Sequence, residues 1–219
     1  MTIINYLDIC GGSVIAVTGC GGKTSLIQLI ADKLRDKKVL VSPTTKMFPI
    51  KGIQCQGMLN EVNGKLEALP VETLARLIHQ YDITLLEADG SRGLPCKGWL
   101  PNEPLIPPYC THTVGIVSMS ALGKAATKTV VHHLPEFLLL TGLEKGDTIT
   151  AQALEAMVCA PEGMFKSSAG KQYLLVNQVE DDTAVCAAQS FLQIIKEKYP
   201  DRFKRLIYGS VRMDIWQEV

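Results

Sequence analysis

A glycine-rich segment that ends in lysine and threonine is the part of this sequence best suited to hold phosphate. Residues 19–24 read Gly-Cys-Gly-Gly-Lys-Thr and follow a short apolar run over residues 14–18. Glycines let backbone N–H groups approach phosphate oxygens, and a helix that begins near Lys23 directs its positive end at the same anion. Lys23 would neutralise charge on the β- and γ-phosphates, and the Thr24 hydroxyl would be a ligand of Mg²⁺. The segment therefore predicts a site for a nucleoside triphosphate with Mg²⁺.

The loop departs from the usual phosphate-loop pattern at one position. Val17 stands where that pattern has its first glycine, and the loop opens instead with Thr18-Gly19. It resembles the Thr-Gly-x-x-Gly-Lys-Thr loop of Mur-type ligases, in which nucleotide is still bound. The alternative is a glycine-rich turn with a lysine by chance, but a predicted strand and helix flank the loop as phosphate binding requires. The loop residues predicted to bind nucleotide are Gly19, Cys20, Gly21, Gly22, Lys23, Thr24 and Ser25.

Two carboxylates close a later apolar run. Glu87 and Asp89 follow Ile83-Thr84-Leu85-Leu86, which is typical of a buried strand. In phosphate-loop proteins a carboxylate at this place holds Mg²⁺ and can orient an attacking nucleophile. Glu-x-x-Gly here also resembles metallochaperone-type GTPases. We expect Glu87 and Asp89 to act with Lys23 in catalysis and with Thr24 at the metal, and either carboxylate would be the metal partner. The alternative is a solvated loop start.

A third segment bears on the choice of base. Residues 174–180 read Leu-Leu-Val-Asn-Gln-Val-Glu, which imitates the guanine-binding Asn-Lys-x-Asp of G proteins. Asn177 and Glu180 are therefore predicted to bind the nucleotide, and Ser210, after the last predicted strand, is a further candidate for a base contact. This favours GTP slightly over ATP. A plain turn between a strand and a helix explains the same residues.

Four further residues are candidates for contact with a second substrate. Thr45 and Lys46 follow the second predicted strand, where they would form a switch segment near the γ-phosphate or merely cap a helix. Arg92 and Lys97 lie in a proline-rich stretch beside the acidic strand end and would contact an anionic substrate, unless that stretch is only a solvated loop. No histidine has metal-ligand spacing to a cysteine, so we interpret the histidines as structural.

Alternating strands and helices must position these residues. Apolar runs predict strands at 14–18, 39–41, 83–86, 113–119, 173–176 and 205–208. Helical spacing predicts helices over 24–35, 70–81, 134–141, 151–158 and 182–199, whereas 50–69 looks irregular. This order predicts an α/β fold of the P-loop NTPase class, with a mainly parallel sheet covered by helices on both faces. We expect one domain over 1–219 with a proline-rich insertion at about 91–110. Ligands of such sheets bind at the carboxyl ends of the strands.

Composition limits the partners. Lysine plus arginine equals aspartate plus glutamate, at 22 each, which argues against broad binding to nucleic acid or to anionic membranes. The first residues lack the features of a signal peptide, and no apolar run is long enough to span a bilayer. The seven cysteines form no CxxC pair, so reduced thiols in a cytoplasm are expected. A homo-oligomer is compatible with the sequence.

Four blocks together resemble one family. They are Val-Thr-Gly-Cys-Gly-Gly-Lys-Thr-Ser at 17–25, Ser-Pro-Thr-Thr-Lys-Met at 42–47, Glu-Ala-Asp-Gly-Ser-Arg-Gly-Leu-Pro-Cys-Lys at 87–97 and Asn-Glu-Pro-Leu-Ile-Pro at 102–107. They are similar to the YqeC family, whose members are regarded as accessory factors for selenium-dependent molybdenum hydroxylases. The resemblance implies a molybdenum hydroxylase or its cofactor as partner, with NTP hydrolysis as the driving reaction. A small-molecule kinase or ATP-dependent ligase, or a nucleotide-switched module without turnover, are the alternatives.

Overall fold

The structure is a computed structural model that describes residues 1–219. In chain order its elements are α1 (Ile3–Tyr6), β1 (Val14–Gly19), α2 (Lys23–Lys33), β2 (Val39–Pro43), β3 (Lys46–Met47), β4 (Met58–Asn60), β5 (Lys65–Glu67), α3 (Val71–Leu77), β6 (Ile83–Glu87), β7 (Cys96–Lys97), β8 (His112–Ser118), β9 (Val131–His132), α4 (Leu134–Thr141), α5 (Ala151–Cys159), β10 (Lys171–Asn177), α6 (Asp182–Lys198), β11 (Arg205–Ser210) and β12 (Ile215–Glu218).

A central sheet organises the chain. Its seven strands have the order β12-β11-β10-β8-β1-β6-β2. Every neighbouring pair is parallel except β11 with β12, which is antiparallel. Strands β1, β6 and β8 are buried along their whole length, as expected for a sheet covered on both faces. The predicted α/β fold with a mainly parallel sheet is thus confirmed.

Alternating residues of the strands divide the core between the two faces. Ile15 and Val17 of β1 pack in one cluster with Leu26 and Ile30 of α2. Ala16 points to the other face, where it packs in a smaller cluster with Leu74 of α3. Farther along that second face, Leu174 and Val176 of β10 pack against α5 and α6. Helices therefore cover both faces, as the sequence predicts.

Three features differ from the sequence prediction. The segment 50–69 is not wholly irregular, because it contains β4 and β5, and β5 pairs antiparallel with both β4 and β3 in a small second sheet. The proline-rich stretch contains β7, which pairs with β9. Helix α1 and the antiparallel edge strand β12 were not predicted. These strands are only two to four residues long, too short to show a reliable period of two. None of the helices combines the length and apolar character that a membrane crossing requires.

The parallel strands bring the candidate residues to one edge. Five of the parallel strands end, at their carboxyl termini, at Gly19, Pro43, Glu87, Asn177 and Ser210. Because these strands run in the same direction, the segments that follow them lie side by side. The phosphate loop, the acidic strand end and the Asn177 segment therefore form one site.

Candidate functional site

The loop between β1 and α2 has a backbone that requires glycine. Gly21 and Gly22 have φ values of +90° and +129°, which L side chains rarely adopt. A Cβ on Gly21 would lie 2.4 Å from the Cβ of Ser118, and one on Gly22 would lie 2.5 Å from Nδ2 of Asn177. Neighbouring strand ends therefore pack directly against the loop. The first turn of α2 begins right after it, with Leu26 donating its N–H to the carbonyl of Gly22.

Lys23 is folded back into the loop. Its Nζ donates to the carbonyl of Gly19 at 2.7 Å and lies 3.3 Å from Oδ1 of Asp89. Burial by itself would lower the pKa of Lys23, but the carboxylates of Asp89 and Glu87 outweigh it and raise that pKa above its ordinary value. Lys23 is therefore a buried cation at neutral pH, at the place where phosphate charge is expected.

Thr24 and Glu87 form the second polar pair of the site. The Thr24 hydroxyl donates to Oε2 of Glu87 at 2.7 Å, and Glu87 is 7% exposed. Burial raises the pKa of Glu87 above its ordinary value, and Lys23 and the Thr24 hydrogen bond offset only part of this effect. No group of three or more histidine, cysteine, aspartate or glutamate side chains is arranged to hold a metal ion. Mg²⁺ bound with nucleotide needs only one or two protein oxygens, and this hydroxyl–carboxylate pair fits that need.

Asp89 is fully engaged with its neighbours. Its carboxylate accepts hydrogen bonds from the Thr18 hydroxyl at 3.0 Å, the Gly19 N–H at 3.2 Å and Trp99 Nε1 at 2.7 Å. It also forms ion pairs with Lys23 and Lys97, each at 3.3 Å. Burial alone would raise the pKa of Asp89, but the two lysines and these hydrogen bonds lower it. We predicted Glu87 and Asp89 as equal candidates for the metal; of the two, Asp89 has its oxygens already occupied by these neighbours, and Glu87 is the one that contacts Thr24.

Lys97 lies in the same buried network. Its side chain is fully buried, and Nζ donates to the Gly90 carbonyl at 2.7 Å and to Glu103 at 2.8 Å. It also lies over the Trp99 ring, 5.5 Å from the centroid. Lys97 was predicted to contact a second substrate, and that prediction does not agree with its burial, because such a contact would break these pairs. Lys97 instead fastens the proline-rich segment to Asp89.

A cleft of about 650 Å³ lies on the α2 and β11 side of the phosphate loop. At its edge, Asn177 donates from Nδ2 to the Gly21 carbonyl at 2.7 Å and accepts from the Val211 N–H at 2.8 Å. Glu180 accepts a hydrogen bond from the Ser210 hydroxyl at 2.8 Å and pairs with Arg212. Asn177 thus ties the loop to the segment that follows β11, whereas Glu180 lines the cleft with both carboxylate oxygens already accepting hydrogen bonds from Arg212.

A cleft of about 590 Å³ lies on the opposite side of the loop. It brings the predicted residues Thr45, Lys46 and Arg92 together with Lys23, Thr24 and Glu87. Lys65 and His132 also line it, although the sequence did not single them out as ligand contacts. Lys65 reaches the cleft through the small antiparallel sheet, and His132 through the β7–β9 pair. No periodicity in the sequence indicates either placement.

Comparisons with known proteins agree on one family. The model of the family described as YqeC protein matches residues 15–62 and 52–135 of this chain. The uncharacterized protein YqeC of Escherichia coli (strain K12) is 31% identical over 181 residues, which cover 71% of each chain. No solved structure matches. The family match includes the phosphate loop, the acidic strand end and the proline-rich segment.

Proposed function

The chain belongs to the YqeC family, and on that premise we propose that it binds a nucleoside triphosphate with Mg²⁺ at the carboxyl edge of its sheet and hydrolyses it. One observation carries the proposal: the phosphate-loop residues Lys23 and Thr24 meet the strand-end carboxylate Glu87. If the loop were only a glycine-rich turn with a lysine by chance, nothing would require the next residue, Thr24, to form a hydrogen bond with a strand-end carboxylate. The pairing is the one that phosphate-loop enzymes use to hold Mg²⁺ on a triphosphate.

Each part of the site has a separate task in this proposal. The backbone N–H groups of the loop and the start of α2 bind phosphate oxygens. Lys23 turns from Asp89 toward the β- and γ-phosphates, while Asp89 keeps Gly19 and the loop in place. Thr24 and Glu87 would hold Mg²⁺, which supplies charge neutralisation on the triphosphate. The 650 Å³ cleft beside Asn177 and Glu180 accommodates the nucleoside. We retain a slight preference for GTP, since Glu180 lines that cleft and its carboxylate would accept hydrogen bonds from guanine in place of those from Arg212.

The pathway is the second part of the proposal. The blocks at 42–47 and 87–97 resemble accessory factors of selenium-dependent molybdenum hydroxylases, and generic phosphate-loop proteins do not share them. We propose that nucleotide hydrolysis drives a loading or activation step on such a hydroxylase or its cofactor. The seven cysteines are free thiols, which suits a reducing cytoplasm.

Deletion of the gene in a host that makes such a hydroxylase tests the pathway. We expect hydroxylase activity and selenium content to fall, and both to return with the parent gene but not with a Lys23→Ala copy. Normal activity and normal selenium content in the deletion strain would mean that the pathway is wrong. The nucleotide site would be unaffected by that result.

A nucleotide-switched module without turnover is the second candidate. Asp89 favours it, because this one carboxylate contacts both Lys23 of the phosphate loop and Lys97 of the proline-rich segment. Movement of Lys23 toward phosphate would remove one positive charge from beside Asp89. The ion pair between Asp89 and Lys97 would then change in strength, and with it the position of the proline-rich segment. Release of many phosphates per protein molecule supports the enzyme, whereas a single turnover or none supports the switch.

A further inference from the structure

The two clefts at the phosphate loop meet at Gly21, Gly22, Ser25 and Gln178, which line both. One nucleotide with its nucleoside beside Asn177 would lie in the first cleft and place its terminal phosphates in the second, which Lys23, Thr24 and Glu87 line. The second cleft has a volume of about 590 Å³ and is also lined by Lys65, Arg92 and His132, so the phosphates would fill only a part of it. Its lining is almost entirely polar, with Met47 and Phe48 as the only apolar residues.

Two cations in this second cleft have no anionic partner. Arg92 is exposed and makes neither a hydrogen bond nor an ion pair through its guanidinium. Lys65 lies over the ring of Phe48, 4.9 Å from its centroid, and also has no carboxylate partner. The other two cations of the cleft differ in this respect, since Lys46 pairs with Glu67 at 2.8 Å and Lys23 lies 3.3 Å from Asp89. Two unpaired positive charges match the charge of a phosphate monoester, about −1.5 to −2 at neutral pH.

Both cations line the cleft together with Glu87 and His132. Burial, with help from His133, Lys97 and Arg92, lowers the pKa of His132 to about 4. His132 is therefore neutral at neutral pH and offers a hydrogen-bond acceptor beside the two cations.

We propose that the second cleft binds a small molecule that carries a phosphate monoester, with Arg92 and Lys65 on the phosphate and His132 accepting a hydrogen bond from a hydroxyl of the same ligand. The inference deepens the proposed function and rests on it only for the identity of the neighbouring ligand. Arg92 is the specific element, because a guanidinium can bind two phosphate oxygens at once. The alternative is that Arg92 and Lys65 bind the γ-phosphate of the nucleotide itself.

Titration calorimetry with glycerol 2-phosphate tests the site. The probe is added to the nucleotide-free protein and to protein held in saturating Mg·ADP or Mg·GDP. We expect binding in every case, and a loss of about tenfold or more in affinity for Arg92→Gln and for Lys65→Gln, since each removes a charge-assisted contact. Arg92→Lys keeps the positive charge, so its affinity for glycerol 2-phosphate should fall less than that of Arg92→Gln. Arg35→Gln and Lys37→Gln serve as matched controls, because both residues are exposed and precede the amino end of β2, at the opposite edge of the sheet.

Glu180→Ala separates this inference from the proposed function. The variant should lose GTP affinity but bind glycerol 2-phosphate within about threefold of the parent, because Glu180 lines only the first cleft. Absence of nucleotide binding in the parent would refute the proposed function, while the nucleotide-free titrations would still decide the second site. The inference is overturned if the probe does not bind, if Arg92→Gln and Lys65→Gln bind it like the parent, or if Glu180→Ala abolishes its binding.

Discussion

Replacement of Asp89 by asparagine removes the charge on which the buried network depends while it keeps the side-chain shape. The parent carboxylate accepts hydrogen bonds from Thr18, Gly19 and Trp99 and forms ion pairs with Lys23 and Lys97. An amide has one acceptor oxygen, and its NH₂ group would face donors. The substitution therefore leaves two buried ammonium groups without their shared anion.

The size of the effect follows from what each lysine retains. Removal of one partner from a buried ion pair costs about 3–5 kcal/mol of folding free energy. Lys97 keeps Glu103 at 2.8 Å and the Gly90 carbonyl at 2.7 Å, and Lys23 keeps the Gly19 carbonyl at 2.7 Å. Because these contacts remain, we expect a loss near the lower end of that range, about 3 kcal/mol. The total free energy of unfolding of a protein is about 5–15 kcal/mol.

Urea denaturation at neutral pH measures this loss. Glu87→Gln is the matched control, since Glu87 has one side-chain hydrogen bond, to Thr24, and a pKa raised by burial, so its removal should cost less than about 1 kcal/mol. Lys97→Met added to Asp89→Asn should cost less than it does in the parent, because the lysine it removes has already lost one of its two anionic partners. The pKa of Asp89 is below its ordinary 3.8, so the stabilisation by its charge is present above that pH and is lost only as the pH falls further. A loss below about 1 kcal/mol for Asp89→Asn, or strict additivity with Lys97→Met, would refute this reasoning.

Three further predictions concern single residues of the site. Burial raises the pKa of Glu87, so Mg²⁺-dependent nucleotide affinity should fall on acidification at pH values still above 4.5, and calorimetry on Glu87→Gln should give a weaker, nearly flat pH profile. Glu180→Ala should reduce affinity for GTP by about tenfold and leave ATP affinity nearly unchanged in competition binding; equal effects on both would mean that the segment is only a turn. Gly21→Ala should destabilise the protein by about 1–3 kcal/mol in urea denaturation, because φ is +90° there and a Cβ would meet Ser118; parent-like stability would contradict the loop geometry.

The sequence predicts the central sheet well because the buried strands are short apolar runs with turn signals after them. Residues 14–18, 83–86 and 173–176 all fall within observed strands of the parallel sheet. The small sheet of β3, β5 and β4 was missed, since its strands have two or three residues and the pairing of β3 with β5 joins segments that are distant in the chain. Propensity and periodicity carry no information at that length.

The candidate site was predictable to the extent that its residues follow strand ends. Thr24 and Glu87 meet because parallel strands place their carboxyl ends together. The role of Asp89 was not predictable, because its partner Trp99 comes from an irregular segment whose path the sequence does not determine. The burial of Lys97 was not predictable for the same reason, because it lies in that irregular segment. A lysine in a proline-rich stretch is expected to be exposed, but Lys97 is fully buried beside Asp89.

We propose above that the loop at residues 19–24 binds a nucleoside triphosphate with Mg²⁺. Calorimetric titration of Mg·GTP and Mg·ATP into the parent, Lys23→Ala and Lys37→Ala tests this binding most directly. Lys37 is exposed and lies at the opposite edge of the sheet, so it controls for the loss of a lysine charge. We predict binding to the parent and to Lys37→Ala, and at least about a tenfold loss for Lys23→Ala with the fold retained. Equal affinity of the folded Lys23→Ala variant and the parent would contradict the claim.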